Sequence, residues 1–390
     1  WFVKAERKAA LMVKNMKIGL LGHGVVGSGV RKIIDEKLTD ETKNLEITRI
    51  LVKDTSEITD VRMTTDVNDI LLDPSIDVVV ECMGGIEPAR KYALEALEHG
   101  KHFVTSNKKM FASSILELQE CAERNHVSLH YEATCGGGIP WIANIDRCKR
   151  VDTIDSLKGI FNGTTNYILS RMYHENQDFA SMLKEAQDLG YAEKDPTDDI
   201  DGYDIRYKTM ISILKAFGKR VNLEDIPMFG IRYIDASDLK YCKENGYVVK
   251  MIGRAERNGD VVSSSVMPMF VKKDDVFASI PLNFNAIASN SKTLGKAVYI
   301  GQGAGSLPTA HAVVQDIIDI EKSQSMEMQF EDGMINNENV EGIYYIRSKN
   351  MEVFQDIMDG EVTKKVRLLE VLDRMKKAND KEAFIAEVEA

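Results

Sequence analysis

The chain has 390 residues, 44% of them hydrophobic, and a net charge of −11. That is enough apolar material for a sizeable core divided between two or three domains. The negative balance and scattered basic residues argue against nucleic acid or an anionic membrane as partner. No run approaches the roughly 18 apolar residues of a membrane span. Five cysteines without a CxxC pair indicate neither a disulfide framework nor a zinc ribbon. Small-molecule chemistry in a reducing, cytoplasmic compartment is the expectation.

Residues 1–15, WFVKAERKAALMVKN, lack a long apolar region with a cleavage site and read as an extension ahead of the first strand. From Lys17 short β-branched runs alternate with helical stretches, the pattern of a parallel sheet faced by helices. Strands are expected at Lys17–Leu21, Leu45–Val52, Asp77–Cys82, His102–Thr105 and Val127–Tyr131, and helices at Val25–Lys37, Glu87–His99 and Met110–Glu123. After about Ala143 the texture changes to a strand near Ser156–Phe161, two helices and a long helix running to Phe217. Tyr247–Glu256 and Val261–Val271 then flank Asn258 and Gly259, a strong hairpin signal. The glycine-rich segment Gly301–Ile318 turns helical, and its glycines, Gly303 among them, permit close approach to a cofactor. The tail from Ser323 reads as charged and mostly helical after Tyr344–Arg347.

The expected class is α/β. An N-terminal Rossmann-type nucleotide-binding domain over 16–143 precedes a second, α+β domain over 144–300. A segment over 301–322 returns to the nucleotide domain, and a tail over 323–390 follows.

Gly22, Gly24 and Gly27 form GxGxxG between an apolar strand and a helix. There the backbone N–H groups around Val25 and Val26 and the helix dipole favour a pyrophosphate. The blander reading is a tight strand-to-helix turn. Lys53 and Asp54 close the second strand, so the ribose-recognition position is divided between a basic residue suited to NADP and an acidic one suited to NAD. Lys53 tilts this toward NADP, with a solvated strand end as the alternative. Lys108, in SNKKM after a strand, stands at the carboxyl edge of the sheet, where ligands bind in such folds, or is a plain surface lysine. In YEATCGGGIP, Glu132 beside three glycines could supply oxygen ligands to a hard cation, or the loop is an interdomain hinge. Cys135 within it has no histidine pattern to activate it and reads as a packed thiol. In FNGTTNYIL, either Thr164 or Thr165 simply caps a helix, or Gly163 and Thr164 present donors and acceptors to a bound amino acid. None of the seven histidines assembles an HExxH motif or a catalytic triad.

The richest stretch is EKDPTDDIDGYDIRYK, Glu193–Lys208, which sets six carboxylates against an apolar helix. Asp195 and Pro196 force a turn, Asp201 is the expected N-cap, and Gly218 the stop. Asp204 and Lys208 fall at i and i+4, on one face. Exposed, such a pair stabilises a helix by only about 0.3–0.5 kcal/mol. Buried, its desolvation is costly and calls for another reason, such as a site for a small zwitterion.

Taken in order, GLLGHGVVG, SNKKM, YEATCGGGIP, KGIFNGTTNYIL, GYAEKDPTDDIDGYDIRYK and GQGAGSLPTA resemble homoserine dehydrogenase over about Lys17–Ile320. The resemblance implies reversible interconversion of L-homoserine and L-aspartate 4-semialdehyde with NADP or NAD, in the route to threonine, methionine and isoleucine. It implies Lys208 as proton donor to the aldehyde oxygen, Lys108 as a second lysine near the nicotinamide, and Glu193 for the substrate ammonium. Asp199 and Asp204 would lie in the pocket with Tyr191, Gly163 and Thr164. Glu132 with backbone oxygens of Cys135, Gly137 and Ile139 would form a sodium-type site. The resemblance makes the second domain the catalytic and oligomerisation domain, and implies a homodimer or homotetramer built through it. Many family members carry a C-terminal ACT domain beginning with a strand like EGIYYIRS. Here about 45 residues follow with helical composition and no evident later strands, so the tail over 323–390 would be at most a reduced or divergent ACT-like region and feedback by threonine is not expected. Two rival readings are a semialdehyde dehydrogenase working through a cysteine thiolate and a non-catalytic dinucleotide sensor.

Overall fold

The computed structural model describes residues 15–323 and 329–389, so residues 1–14 of the expected extension lie outside the described residues. The described residues form two compact units, one of residues 15–134 and 305–323, the other of 135–304 and 329–389.

The first unit begins with β1 (Met16–Leu21), α1 (Val25–Glu36), a short turn α2 (Asp40–Lys43), β2 (Leu45–Leu51) and β3 (Met63–Thr64). Then follow α3 (Asn68–Leu71), β4 (Val78–Glu81), α4 (Ala89–Glu98), β5 (His102–Thr105), α5 (Lys108–Arg124) and β6 (Leu129–His130). The strands form one sheet in the order β3-β2-β1-β4-β5-β6, and every pair is parallel. The order reverses between β1 and β4, which opens a crevice at their carboxyl ends, where such folds hold a dinucleotide. Ile18, Leu20, Val78, Val80 and Val104 are fully buried in the sheet, as the near-continuous apolar runs require. Several boundaries differ from expectation by one or two residues. The last strand shrinks to Leu129–His130, and α5 starts at Lys108 because Asn107 caps it, its Oδ1 accepting from Met110 N at 3.1 Å.

The second unit opens with α6 (Trp141–Lys149), β7 (Ile154–Ile160), α7 (Gly163–Glu175), α8 (Phe179–Asp188), α9 (Thr197–Ile200) and α10 (Tyr203–Phe217). β8 (Lys219–Arg220) and α11 (Ala236–Glu244) lead to the long hairpin β9 (Tyr247–Asn258) and β10 (Val261–Lys272). A second hairpin, β11 (Phe284–Ser291) and β12 (Gly295–Gln302), follows. Asn258 stays in the first hairpin's ladder, paired with Val261, so its loop is Gly259 and Asp260. α12 (Ser306–Glu321) returns to the first unit and packs along α1. A Cβ on Gly29 would lie 2.7 Å from Ser306 O, and Ser306 Oγ donates to Val25 O at 2.6 Å.

The tail overturns the expectation of a helical segment without later strands. It contains β13 (Glu331–Asp332), β14 (Glu341–Arg347), β15 (Met358–Asp359), β16 (Val362–Thr363), β17 (Val366–Arg367), α13 (Leu368–Ala378) and β18 (Phe384–Val388). β15 to β17 are two residues each, too short for an alternating pattern to show. The ten-stranded sheet runs β12-β11-β7-β9-β10-β18-β14-β16-β15, with β17 beside β14. Its last four strands have the order of a split βαβ unit, with the first helix reduced to the turn Met351–Phe354. β18 is antiparallel to β14 and parallel to β10, so it joins the tail to the hairpin sheet. A separate core of Tyr344, Ile346, Phe354, Leu368, Val371 and Ile385 forms beneath it.

Candidate active site

Every residue of α10 from Asp204 to Phe217 except Tyr207 is buried. The charged pair is therefore carried inside, and the exposed-helix alternative falls away. Lys208 Nζ donates to Asp204 Oδ2 and to Phe161 O, both at 2.8 Å. Asn162 Nδ2 donates to the same Asp204 Oδ2 at 2.9 Å and to Asp199 Oδ1 at 2.7 Å. Asn162, absent from the expected set, is thus the side chain that brings Asp199, Asp204 and Lys208 together. The only sequence signal for it was its place between an apolar strand and a helix start. Asn285 was missed as well. It is fully buried, its Nδ2 donates to Phe161 O at 2.9 Å, and its Oδ1 has no hydrogen-bond partner among the described residues.

The expected N-cap role of Asp201 is corrected. The N-cap of α10 is Gly202, which holds the left-handed conformation with φ 98° and makes no side-chain cap. Asp201 instead receives Arg232, Nε at 2.9 Å and Nη2 at 2.6 Å, an ion pair between residues remote in sequence that outcompetes the local cap. Gly218 does end the helix, with φ 65°. Asp195 shapes the turn as expected, accepting from Thr197 N at 3.1 Å.

Around this array Thr164 Oγ1 donates to Tyr191 O at 2.7 Å, so that hydroxyl positions the Tyr191 segment. Gly163 is explained by packing, because a Cβ there would lie 2.7 Å from Asn283 O. Glu193 is exposed, on the loop that Gln187 Nε2 holds through Glu193 O at 3.1 Å. Cys135 is fully buried, with Sγ 3.7 Å from Lys208 O and 3.5 Å from Ser212 Oγ, where it packs. Gly303 gives way to Asn285, since a Cβ would fall 1.8 Å from its amide nitrogen. Ile139 O accepts from Trp141 N at 2.7 Å.

In the first unit, Gly27 is required by the loop itself, since a Cβ would come within 2.0 Å of Gly22 O. A Cβ on Gly24 would meet nothing within 4 Å, and no side chain caps α1 there. Val25 is 69% exposed beside it. The first turn of α1 therefore presents unobstructed N–H groups, which fits a pyrophosphate. Lys53 is exposed, whereas Asp54 is committed to its own turn, accepting from Ser56 N at 2.8 Å. Lys108 stands in the first turn of α5. Beside it the sequence concealed an organiser, Glu81, at the end of β4. Its buried carboxylate accepts from Thr105 Oγ1 at 2.6 Å and Met83 N at 2.7 Å, and burial pushes its pKa up. No cluster of three or more His, Cys, Asp or Glu side chains able to hold a metal occurs among the described residues.

Comparison with known proteins decides the family. A family profile described as homoserine dehydrogenase matches residues 140–318, and its NAD-binding domain profile matches 22–132. The chain belongs to the homoserine dehydrogenase family. It is 38% identical to homoserine dehydrogenase of Bacillus subtilis over 80% of this chain and 75% of that one. With the enzyme of Synechocystis it shares 40% identity over 78% and 73%. The crystal structure of a homoserine dehydrogenase from Thiobacillus denitrificans superposes with a TM-score of 0.86 at 31% identity, covering 96% of this chain and 98% of that one, so the likeness takes in the tail. A hyperthermophilic archaeal homoserine dehydrogenase in complex with NADPH gives 0.68 at 25% identity over 79% and 98%. The protein is an NAD(P)-dependent oxidoreductase that interconverts L-homoserine and L-aspartate 4-semialdehyde, a step toward threonine, methionine and isoleucine. Neither the thiolate enzyme nor the non-catalytic sensor finds support in these likenesses.

Proposed function

We propose that Lys208 is the acid–base group of this dehydrogenase. The observation that supports it most is the Lys208 ammonium itself, held by Asp204 and Phe161 O at 2.8 Å each. Among the described residues this leaves one N–H of the ammonium for a substrate oxygen. In the reducing direction Lys208 gives its proton to the carbonyl oxygen, and in the oxidising direction it accepts the hydroxyl proton. When bound, the nicotinamide exchanges a hydride with the substrate carbon. Glu193 takes the substrate ammonium. Asp199, Tyr191, Gly163 and Thr164 border the same pocket.

The first unit is the nucleotide-binding domain, with Gly22, Gly24, Val25, Val26 and Gly27 at the pyrophosphate and Lys108 as the second lysine near the nicotinamide. Lys53 supports NADP over NAD, because it is exposed while Asp54 is tied into a turn. The loop from Glu132 to Ile139 takes a sodium-type cation, a reading that rests on the family resemblance. The tail is ACT-like, supported by its strand order. The enzyme is a cytoplasmic homo-oligomer. β12 supports self-association as an eight-residue edge strand with Ile300 52% exposed, an edge that stable proteins cover.

The test is spectrophotometric, following purified enzyme with L-homoserine and NAD or NADP beside Lys208→Ala. The substitution should cost roughly 10²- to 10⁴-fold in kcat. Absence of cofactor reduction by folded wild type with both nucleotides would overturn the reading.

A further inference from the structure

We propose that Asn162 is a positioning residue for this reaction, its amide fixing the Asp199 and Asp204 carboxylates in one array and so aiming the Lys208 ammonium at the substrate oxygen. This deepens the reading of Lys208 as proton donor and rests on it.

The orientation of the amide is set by its surroundings. Asn162 is the N-cap of α7, and its Oδ1 accepts from Thr165 N at 2.8 Å. A backbone N–H can only donate, so the other end of the amide must be the NH2 group. That group has two hydrogens, and the structure offers two acceptors, Asp199 Oδ1 at 2.7 Å and Asp204 Oδ2 at 2.9 Å. Both carboxylates therefore lie within hydrogen-bond reach of one nitrogen. Two such groups so close favour sharing a proton, because each destabilises the other's charge. A neutral double donor lets both stay ionised and adds no charge of its own.

The residue before it completes the device. Phe161 O accepts from Lys208 Nζ at 2.8 Å and from Asn285 Nδ2 at 2.9 Å. Two consecutive residues thus hold both halves of the ion pair, one through its carbonyl and one through its side chain. Among the described residues, the charged groups that face Asn162 include Asp199 from α9 and Asp204 and Lys208 from α10. Lys250 of β9 reaches α7 one turn further on, at Asn166 Oδ1, 2.8 Å away. Nothing in the cap explains why the amide nitrogen should bridge two acids, since serine or aspartate caps a helix as well as asparagine.

That equivalence supplies the experiment. Asn162→Ser keeps a cap and removes the bridging amide. Melting temperature should hold, kcat/KM for L-homoserine should fall about ten- to hundredfold, and the acid limb of its pH profile should move to higher pH as the carboxylates lose their donor. Asn162→Asp keeps a cap but adds a third carboxylate, and its loss should be larger at neutral pH and shrink as pH falls. Lys208→Ala runs in parallel to separate the two readings. A wild-type limb and near wild-type kcat/KM in Asn162→Ser, with Lys208→Ala inactive, would overturn the positioning role alone. A joint fall in melting temperature and activity with no shift of the limb would likewise reduce Asn162 to a structural cap. A shifted limb with full activity in Lys208→Ala would retain the carboxylate array and discard the proton donor.

Discussion

Lys250→Met should erase a pH dependence of stability that the wild type owes to one buried amine. Lys250 lies in β9 at 2% exposure, and its Nζ donates to Asn166 Oδ1 at 2.8 Å and Ile280 O at 2.7 Å. No carboxylate forms an ion pair with it among the described residues. A neutral amine has the two N–H groups that these acceptors need, so burial penalises the ammonium without compensation and pushes the pKa down to about 8. The unfolded chain titrates near 10.4. Below pH 8 both states are protonated, and the folded state bears the full cost, about 3 kcal/mol at 1.36 kcal/mol for each unit. Between the two values the unfolded chain holds more protons, so stability rises with pH, and above both the cost is gone. Methionine is of similar length, carries no charge, and leaves Asn166 Oδ1 without this donor, a pH-independent loss of about 1–2 kcal/mol. Urea midpoints at pH 7 and pH 10, with m unchanged, should show the wild type gaining roughly 2–3 kcal/mol on the variant. Parallel pH curves for the two proteins would show that Lys250 is not the buried amine described here.

Gly27→Ala places a Cβ 2.0 Å from Gly22 O, a backbone atom that cannot move without reshaping the loop. Dinucleotide affinity in a fluorescence titration should drop at least about tenfold, and a Kd within about twofold of wild type would refute the close-approach argument. Cys135→Ser should retain homoserine oxidation within about tenfold, because Sγ packs on Lys208 O and Ser212 Oγ, contacts a hydroxyl can replace. Complete loss in the steady-state assay would instead favour thiolate chemistry.

What the sequence made legible was what short-range rules govern. β1, GxGxxG and α1 announce themselves because the strand, the glycines and the helix are contiguous. The Asp204–Lys208 pair follows from helical spacing, and Gly218 from its tolerance of positive φ. The failures arose where distant chain segments decide. Asp201 looked like a cap by rank, yet Arg232 claims it from the segment before α11. The close packing of Gly163 on Asn283 O and of Gly303 on the Asn285 side chain likewise joins segments that no local pattern connects. Asn162 acquires its role only when α9 and α10 present two acids to it. In the tail, strands of two residues carry no readable period, and β18 places Glu387 at a buried position where an apolar residue would have marked a strand.

β18 has one further consequence, for the solubility of the folded chain. It lies between β10 and β14, so one short strand covers an edge of each. β10 carries Val266, Met267, Met269, Phe270 and Val271, an apolar edge of the kind on which chains aggregate when it is left open. Glu387 guards that place. It pairs with Arg254 on β9 at 2.7 Å from within the sheet, at 6% exposure. A strand from another molecule could settle beside β10 only by bringing a carboxylate in the same register, or by burying the Arg254 charge without its partner.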